Sequence, residues 1–253
     1  MDDKLKNSRD MYIDLMIRIL ANTIYEDTSI HPYFPKDYDP DKRQTGLDWP
    51  KTAHTMVGVE RLKNLADLAS RALESEIPGD FIETGVWRGG CCILMRSILG
   101  LYSDKQRRVF VADSFEGLPL PKPDVYKADI DDPHHTYAEL AISLEEVKSN
   151  FSRYNLLDDQ VVFVKGFFED TLQKLTENTF ALLRLDGDMY ESTYCALEEL
   201  YPQLSPGGYI IIDDFGAIDG CRQAVEEYRR IHDITAPMTE VDWTGVWWQK
   251  PTA

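Results

Sequence analysis

The chain has 253 residues, enough for one large α/β domain with added segments. Hydrophobic residues make up 43% of it, which supplies a sizeable core, while a net charge of −17 and a pI of about 4.6 argue against binding nucleic acid or anionic lipid through the overall field. No apolar run approaches the roughly 20 residues of a membrane helix, and Met1-Asp2-Asp3-Lys4-Leu5 lacks the basic-then-apolar layout of a secretion signal.

The first helix is expected over 11–25, where Ile13, Met16, Ile17, Leu20 and Ile24 recur at helical spacing. Residues 27–51, with Pro32, Pro35, Pro40 and Pro50, read as loop. A second helix over 57–74 carries Leu62, Leu65, Leu68, Ala69 and Ala72 on one face. Residues 1–78 thus form a helical extension, whose apolar helix packs on its own domain or on a second subunit of a homo-oligomer. A regular alternation follows in 79–253. Strands are expected over 80–83, 108–113, 161–165, 180–186 and 208–213, and helices over 89–101, 144–154, 170–175, 191–200 and 217–231. The chain closes with a hairpin of 238–241 and 246–249 around Trp243-Thr244-Gly245. This order implies a doubly wound, mainly parallel α/β sheet. The loop over 116–136 is long, acidic and rich in proline, and loops of that length in a compact domain are often lids. The four cysteines, Cys91, Cys92, Cys195 and Cys221, form no C-x-x-C pair and read as reduced thiols of a cytoplasmic protein.

The first strand-to-helix turn is Glu83-Thr84-Gly85-Val86-Trp87-Arg88-Gly89-Gly90. Gly85 lets the backbone approach a ligand closely, and the helix start behind it favours carboxylate or phosphate. It is not G-x-G-x-x-G, so a pyrophosphate cradle, and with it a nicotinamide oxidoreductase, is disfavoured. E-x-G-x-x-x-G is the looser pattern of proteins that bind S-adenosylmethionine; a plain βα turn is the other reading. The second strand ends in Asp113-Ser114, where an acid can accept from a ribose diol or serve as a cap or turn residue.

Two clusters of aspartate end the last two strands of the alternation: Asp186 and Asp188 in Leu-Asp-Gly-Asp, and Asp213-Asp214. Ligands bind beyond the carboxyl ends of strands in open α/β sheets. If these strands are neighbours, Asp186, Asp213 and Asp214 converge into an all-oxygen set that suits Mg²⁺. Asp188 reaches the same cavity and is the candidate general base, although spacing does not decide whether Asp186 or Asp188 takes the proton. The competing expectation is that Asp188 and Asp214 cap the helices that follow. His134-His135, beside Asp131-Asp132, is expected as solvated loop, with a metal or base role as the alternative. Trp243, Trp247 and Trp248 are expected to fill the hairpin core rather than stack on a ligand.

In these residues the chain resembles the macrocin O-methyltransferase-like enzymes. The stretches that carry the resemblance are His54-Thr55-Met56-Val57-Gly58, Arg61-Leu62, Glu83 to Gly90, Ala112-Asp113-Ser114-Phe115-Glu116-Gly117, Asn150-Phe151-Ser152-Arg153-Tyr154, Gly166-Phe167-Phe168, Leu185-Asp186-Gly187-Asp188-Met189-Tyr190, Ser205-Pro206-Gly207-Gly208 and Ile212-Asp213-Asp214. Phe167-Phe168 stands where the family has an aromatic pair containing Trp, and keeps an apolar surface for adenine. The resemblance implies a Rossmann-like class I methyltransferase sheet of seven strands with an N-terminal helical lid. It implies methyl transfer from S-adenosylmethionine to a hydroxyl of a small molecule, a sugar of a glycosylated natural product, with Mg²⁺. Metal ligands would be Asp186, Asp213 and Asp214, and the base Asp188. Cofactor contacts would fall at Met56, Glu83, Thr84, Gly85, Gly89, Asp113, Ser114, Phe167 and Asp186. Residues 118–136 match nothing in the family, so its acceptor does not carry over. A catechol-type O-methyltransferase and a non-catalytic S-adenosylmethionine-binding module are the alternatives.

Overall fold

The computed structural model describes residues 3–33, 36–130 and 132–252. Pro35 and Asp131, named above as loop residues, lie outside the described residues. Five strands run parallel: β1 (Asp80–Thr84), β2 (Val109–Asp113), β3 (Val161–Lys165), β4 (Phe180–Leu185) and β5 (Leu204–Ile212). Two more, β6 (Thr239–Glu240) and β7 (Val246–Gln249), add antiparallel to the β5 edge, giving a seven-stranded sheet in the order β3-β2-β1-β4-β5-β7-β6. The order reverses between β1 and β4, which opens a crevice above their carboxyl ends. β4 and β5 are hydrogen-bonded neighbours, so the two aspartate clusters do lie side by side.

Buried side chains alternate between the two faces with the period of a strand. Phe81, Val111 and Ile211 face one apolar cluster; Ile82, Phe110 and Ile210 face the other. On the first face lie α1 (Asp3–Leu20), α3 (Val59–Glu74), α4 (Gly90–Leu101) and α5 (Leu144–Arg153); on the second, α7 (Tyr190–Leu200) and α8 (Asp219–Ile231). The N-terminal helices thus share a core with the sheet: Met16, Ile17 and Leu20 of α1 are buried among residues of α3 and α4.

The differences from the sequence reading are local. α1 stops at Leu20, and the chain turns through Asn22 and Glu26, both at positive φ. The loop over 27–51 contains a short helix, α2 (Pro40–Thr45), with Asp39 as N-cap, proline in its first turn and Gly46 at φ 70° as its stop. The expected helix over 170–175 is a single α turn, α6 (Phe168–Thr171), continued as 3₁₀ to Leu175. The segment 114–143 between β2 and α5 holds three short 3₁₀ turns. It folds over the crevice and is tied down on both sides. Trp87 Nε1 donates to the Glu139 carbonyl at 2.9 Å, and Lys122 Nζ bonds Glu169 at 2.8 Å and Glu191 at 2.7 Å.

Candidate active site

A cavity of about 400 Å³ occupies the crevice at the β1–β4 switch point. Of the residues expected to bind a cofactor, Met56, Glu83, Gly85, Asp113, Ser114, Phe167 and Asp186 line it. Thr84 and Gly89 do not. Thr84 is fully buried within β1, and Gly89, at φ 84°, starts α4. Gly85, at φ 75°, is required sterically, because a Cβ there would collide with the carbonyl oxygen of Asp186. The glycine turn and the first aspartate cluster are therefore in direct backbone contact. Asp113 joins two turns: its oxygens accept from the backbone N–H of Val86 and of Phe115, each at 2.7 Å. Ser114 Oγ donates to it as well, at 3.4 Å, and the Trp87 backbone N–H also stabilises the carboxylate, so it is held by both turns.

Asp186, Asp188, Asp213 and Asp214 all line the same cavity. One carboxylate oxygen from each of Asp186, Asp188 and Asp214 lies within 4.8 Å of the other two. Asp188 sits in the left-handed region at φ 55° and donates its N–H to Asp214 Oδ2 at 3.4 Å. Neither Asp188 nor Asp214 acts as the expected helix cap. The N-caps of α7 and α8 are Met189 and Ile218, with no side-chain cap bond from either. The first turn of α7 is capped instead from the lid, by the buried Asp129, which accepts from Tyr190 N–H at 2.7 Å and Glu191 N–H at 3.0 Å.

Asp213, expected as a ligand with Asp186 and Asp214, lines the same cavity but stands outside the group of three whose oxygens converge. Its two oxygens accept from Arg184 of β4 and Arg61 of α3. Arg184 also bonds Glu83 at 2.6 Å and Asp186 at 2.8 Å, and Arg61 bonds Asp242 at 3.0 Å. Both arginines are buried, so the acids gathered around them form a buried, paired network. Arg184 was not singled out in the sequence, although a lone cation in the apolar run Phe180–Leu185, two residues before Asp186 on the same strand face, is the signal for it.

Burial pushes the Asp188 carboxyl up to about 7 with the charge of Asp186 beside it, and Asp186 up to about 6 with Asp213 adding to the effect. Asp214 is raised well above the usual carboxylate range by burial and by Asp186 and Asp188. Glu83 is raised to about 7 by burial, against the pull of Arg184.

The opposite wall comes from the lid, the N-terminal segment and the hairpin. His134, expected as solvated, lines the cavity, and its Nδ1 lies 2.9 Å from Asp132 Oδ1. That contact raises its pKa above the ordinary histidine value; burial opposes the rise and Asp188 adds to it. Trp248 does fill the core. Trp243 does not: it is 47% exposed and lines the cavity. Among the described residues no helix is long and apolar enough to cross a membrane.

Comparison with known proteins agrees with this fold. The chain is 49% identical over 250 residues, 98% of its length and 95% of the relative's, to the 8-demethyl-8-(2,3-dimethoxy-alpha-L-rhamnosyl)-tetracenomycin-C 4'-O-methyltransferase of Streptomyces olivaceus. It is 45% identical over 246 residues, 95% of this chain and 96% of the other, to the mycinamicin III 3''-O-methyltransferase of Micromonospora griseorubida. The solved structure of the O-methyltransferase NovP superposes with a TM-score of 0.90 at 46% identity, covering 96% of this chain and 99% of that one. The model of the macrocin-O-methyltransferase (TylF) family matches residues 9–250. A match over that span, together with relatives at nearly half identity along almost their whole lengths, places the chain in the macrocin-O-methyltransferase (TylF) family of O-methyltransferases.

Proposed function

We propose that the cavity transfers the methyl group of S-adenosylmethionine to a hydroxyl of a sugar borne by a glycosylated natural product, with Mg²⁺ held among the aspartates. The observation that carries this reading is the meeting of Asp186, Asp188 and Asp214 within 4.8 Å, on the ends of adjacent strands and against the glycine turn. A rhamnosylated acceptor in the name of the Streptomyces olivaceus relative supports the acceptor class.

The donor set fits a hard cation: three half-buried carboxylates with no Cys or His ligand atom among them. Burial, and after it the charge of the neighbouring carboxylates, raises their pKa values, and a divalent cation would offset both. Asp186 and Asp214, which end adjacent strands and belong to the converging group, are the proposed ligands. Asp213, whose two oxygens each accept from one arginine, keeps a further lone pair on each and could join them. A divalent cation held by these acids would supply Lewis acidity, lowering the pKa of an acceptor hydroxyl beside it. Asp188 takes the hydroxyl proton as the carbon–oxygen bond forms and the carbon–sulfur bond breaks. Gly85 admits the cofactor, Asp113 and Ser114 offer polar groups to its ribose, and Phe167 offers an apolar face to its adenine. With cofactor and acceptor bound, these residues would bring the acceptor oxygen to the methyl group, and the lid would exclude water.

The test is methyl transfer from labelled S-adenosylmethionine to a panel of rhamnosides, glycosylated polyketides and catechols, read by mass spectrometry with Mg²⁺ and with EDTA. Glycoside methylation that stops in EDTA and in Asp186→Ala is expected. Full turnover in EDTA would overturn the metal, and methylation of catechols alone would overturn the acceptor.

A further inference from the structure

Trp243 is the one residue, among those described, that is both a large exposed apolar side chain and a wall of the cavity. Its position is built. The indole N–H donates to the Thr45 carbonyl at 2.8 Å, so only the ring is offered to a ligand. Thr244 Oγ1 donates to the Asp213 carbonyl at 2.8 Å, and Gly216 N–H to the Thr244 carbonyl at 2.8 Å, which stitches the hairpin turn to the segment carrying Asp214. A Cβ on Gly216 would collide with the carbonyl of Trp243, so this close approach depends on glycine. Trp49, with its ring centroid 4.7 Å from that of His31, adds a second indole to the lining.

A pocket of about 400 Å³ encloses one drug-sized ligand. A nucleoside cofactor together with an acceptor sugar would leave little of that space, so a group attached to the sugar would extend toward the exposed part of the wall. We propose that Trp243 forms a subsite for a planar, apolar group attached to the acceptor sugar, and that this subsite sets acceptor preference. The proposal rests on the sugar O-methyltransferase reading above. The aromatic faces favour a flat apolar group over a hydroxyl-rich one, because Trp243 has no polar atom left to give.

The experiment measures binding, not turnover. The protein loaded with S-adenosylhomocysteine and Mg²⁺ is titrated with methyl α-L-rhamnoside and with 2-naphthyl α-L-rhamnoside. The naphthyl glycoside should bind roughly three- to tenfold more tightly, the equivalent of about 0.7–1.4 kcal/mol, in the range of an aromatic contact. Trp243→Ala should erase that preference and Trp243→Phe should keep most of it, with S-adenosylhomocysteine affinity as the check on folding. Equal affinities in the wild-type protein, a preference that survives Trp243→Ala, or no measurable binding of either glycoside overturns the subsite. Methyl transfer is scored separately. A Trp243-dependent preference without transfer to any sugar hydroxyl supports the subsite and defeats the reaction reading. Transfer without a preference does the reverse.

Discussion

Asp188 holds a left-handed backbone at φ 55°, a conformation that Asp tolerates better than most residues and that turns its N–H toward Asp214. Its carboxyl is raised to about 7 by burial and by Asp186. A divalent cation bound beside it would lower that value, so that Asp188 meets the hydroxyl as an ionised carboxylate able to take its proton. Asp188→Asn keeps the shape and removes the base, so kcat should fall by about 10²–10⁴-fold. Cofactor affinity, measured by calorimetry, should change by less than about threefold; a comparable loss of affinity would show that Asp188 shapes the cofactor site instead. The same shifts fix a pH dependence. Raised carboxyls hold more protons in the folded than in the unfolded chain, so in EDTA these groups contribute stability that declines as pH rises from their ordinary range through 6 and 7. Mg²⁺ must displace those protons. The gain in melting temperature from Mg²⁺ should therefore be small at pH 5.5 and grow through pH 6–7. A gain independent of pH would place the cation elsewhere.

At the scale of elements, the lid and the loop bearing the aspartates are mechanically joined. Asp129 of the lid caps α7, and α7 begins two residues after Asp188. Asp129→Ala removes an N-cap worth about 1 kcal/mol, a melting shift of about 2–4 °C in a chain of this size. It should also raise hydrogen exchange at the Tyr190 and Glu191 amides and lower kcat/KM for the acceptor. Exchange that stays at the wild-type rate would show that the cap is not formed in solution. How much of this was legible in the sequence follows from the kind of contact involved. Strand-end acids are visible because apolar runs stop at them, which located Asp113, Asp186 and Asp213. The neighbouring strands that join the two clusters follow from the doubly wound order. The arginine network is invisible, because register alone sets Glu83 opposite Arg184 across β1 and β4 and brings Arg61 in from α3. Asp129 and His134 are equally hidden. An irregular lid has no period from which to infer which side chains point inward.

For the whole molecule, the decisive question is whether the N-terminal segment is an appendage or part of the core. Met16, Ile17 and Leu20 of α1 are buried in the cluster that also holds Leu62 and Leu65 of α3 and Leu94 and Ile98 of α4. Full burial of a large aliphatic side chain contributes about 1.5–3 kcal/mol, so the three together supply roughly 5–9 kcal/mol. A whole domain is stable by only about 5–15 kcal/mol. The segment that follows α1 is tied in as well: Arg88, at the glycine turn, donates to the carbonyls of Pro50 and Ala53, each at 2.9 Å. Loss of α1 would therefore loosen the wall that carries Met56 and the turn that carries Gly85. A chain starting at residue 22 should unfold at a much lower temperature, or without a cooperative transition, and should lose cofactor affinity along with acceptor turnover. Scanning calorimetry with and without S-adenosylhomocysteine checks this. A truncated chain that melts at the full-length temperature and binds cofactor normally would show α1 to be a detachable cover, with its energetic role confined to the acceptor side of the cavity.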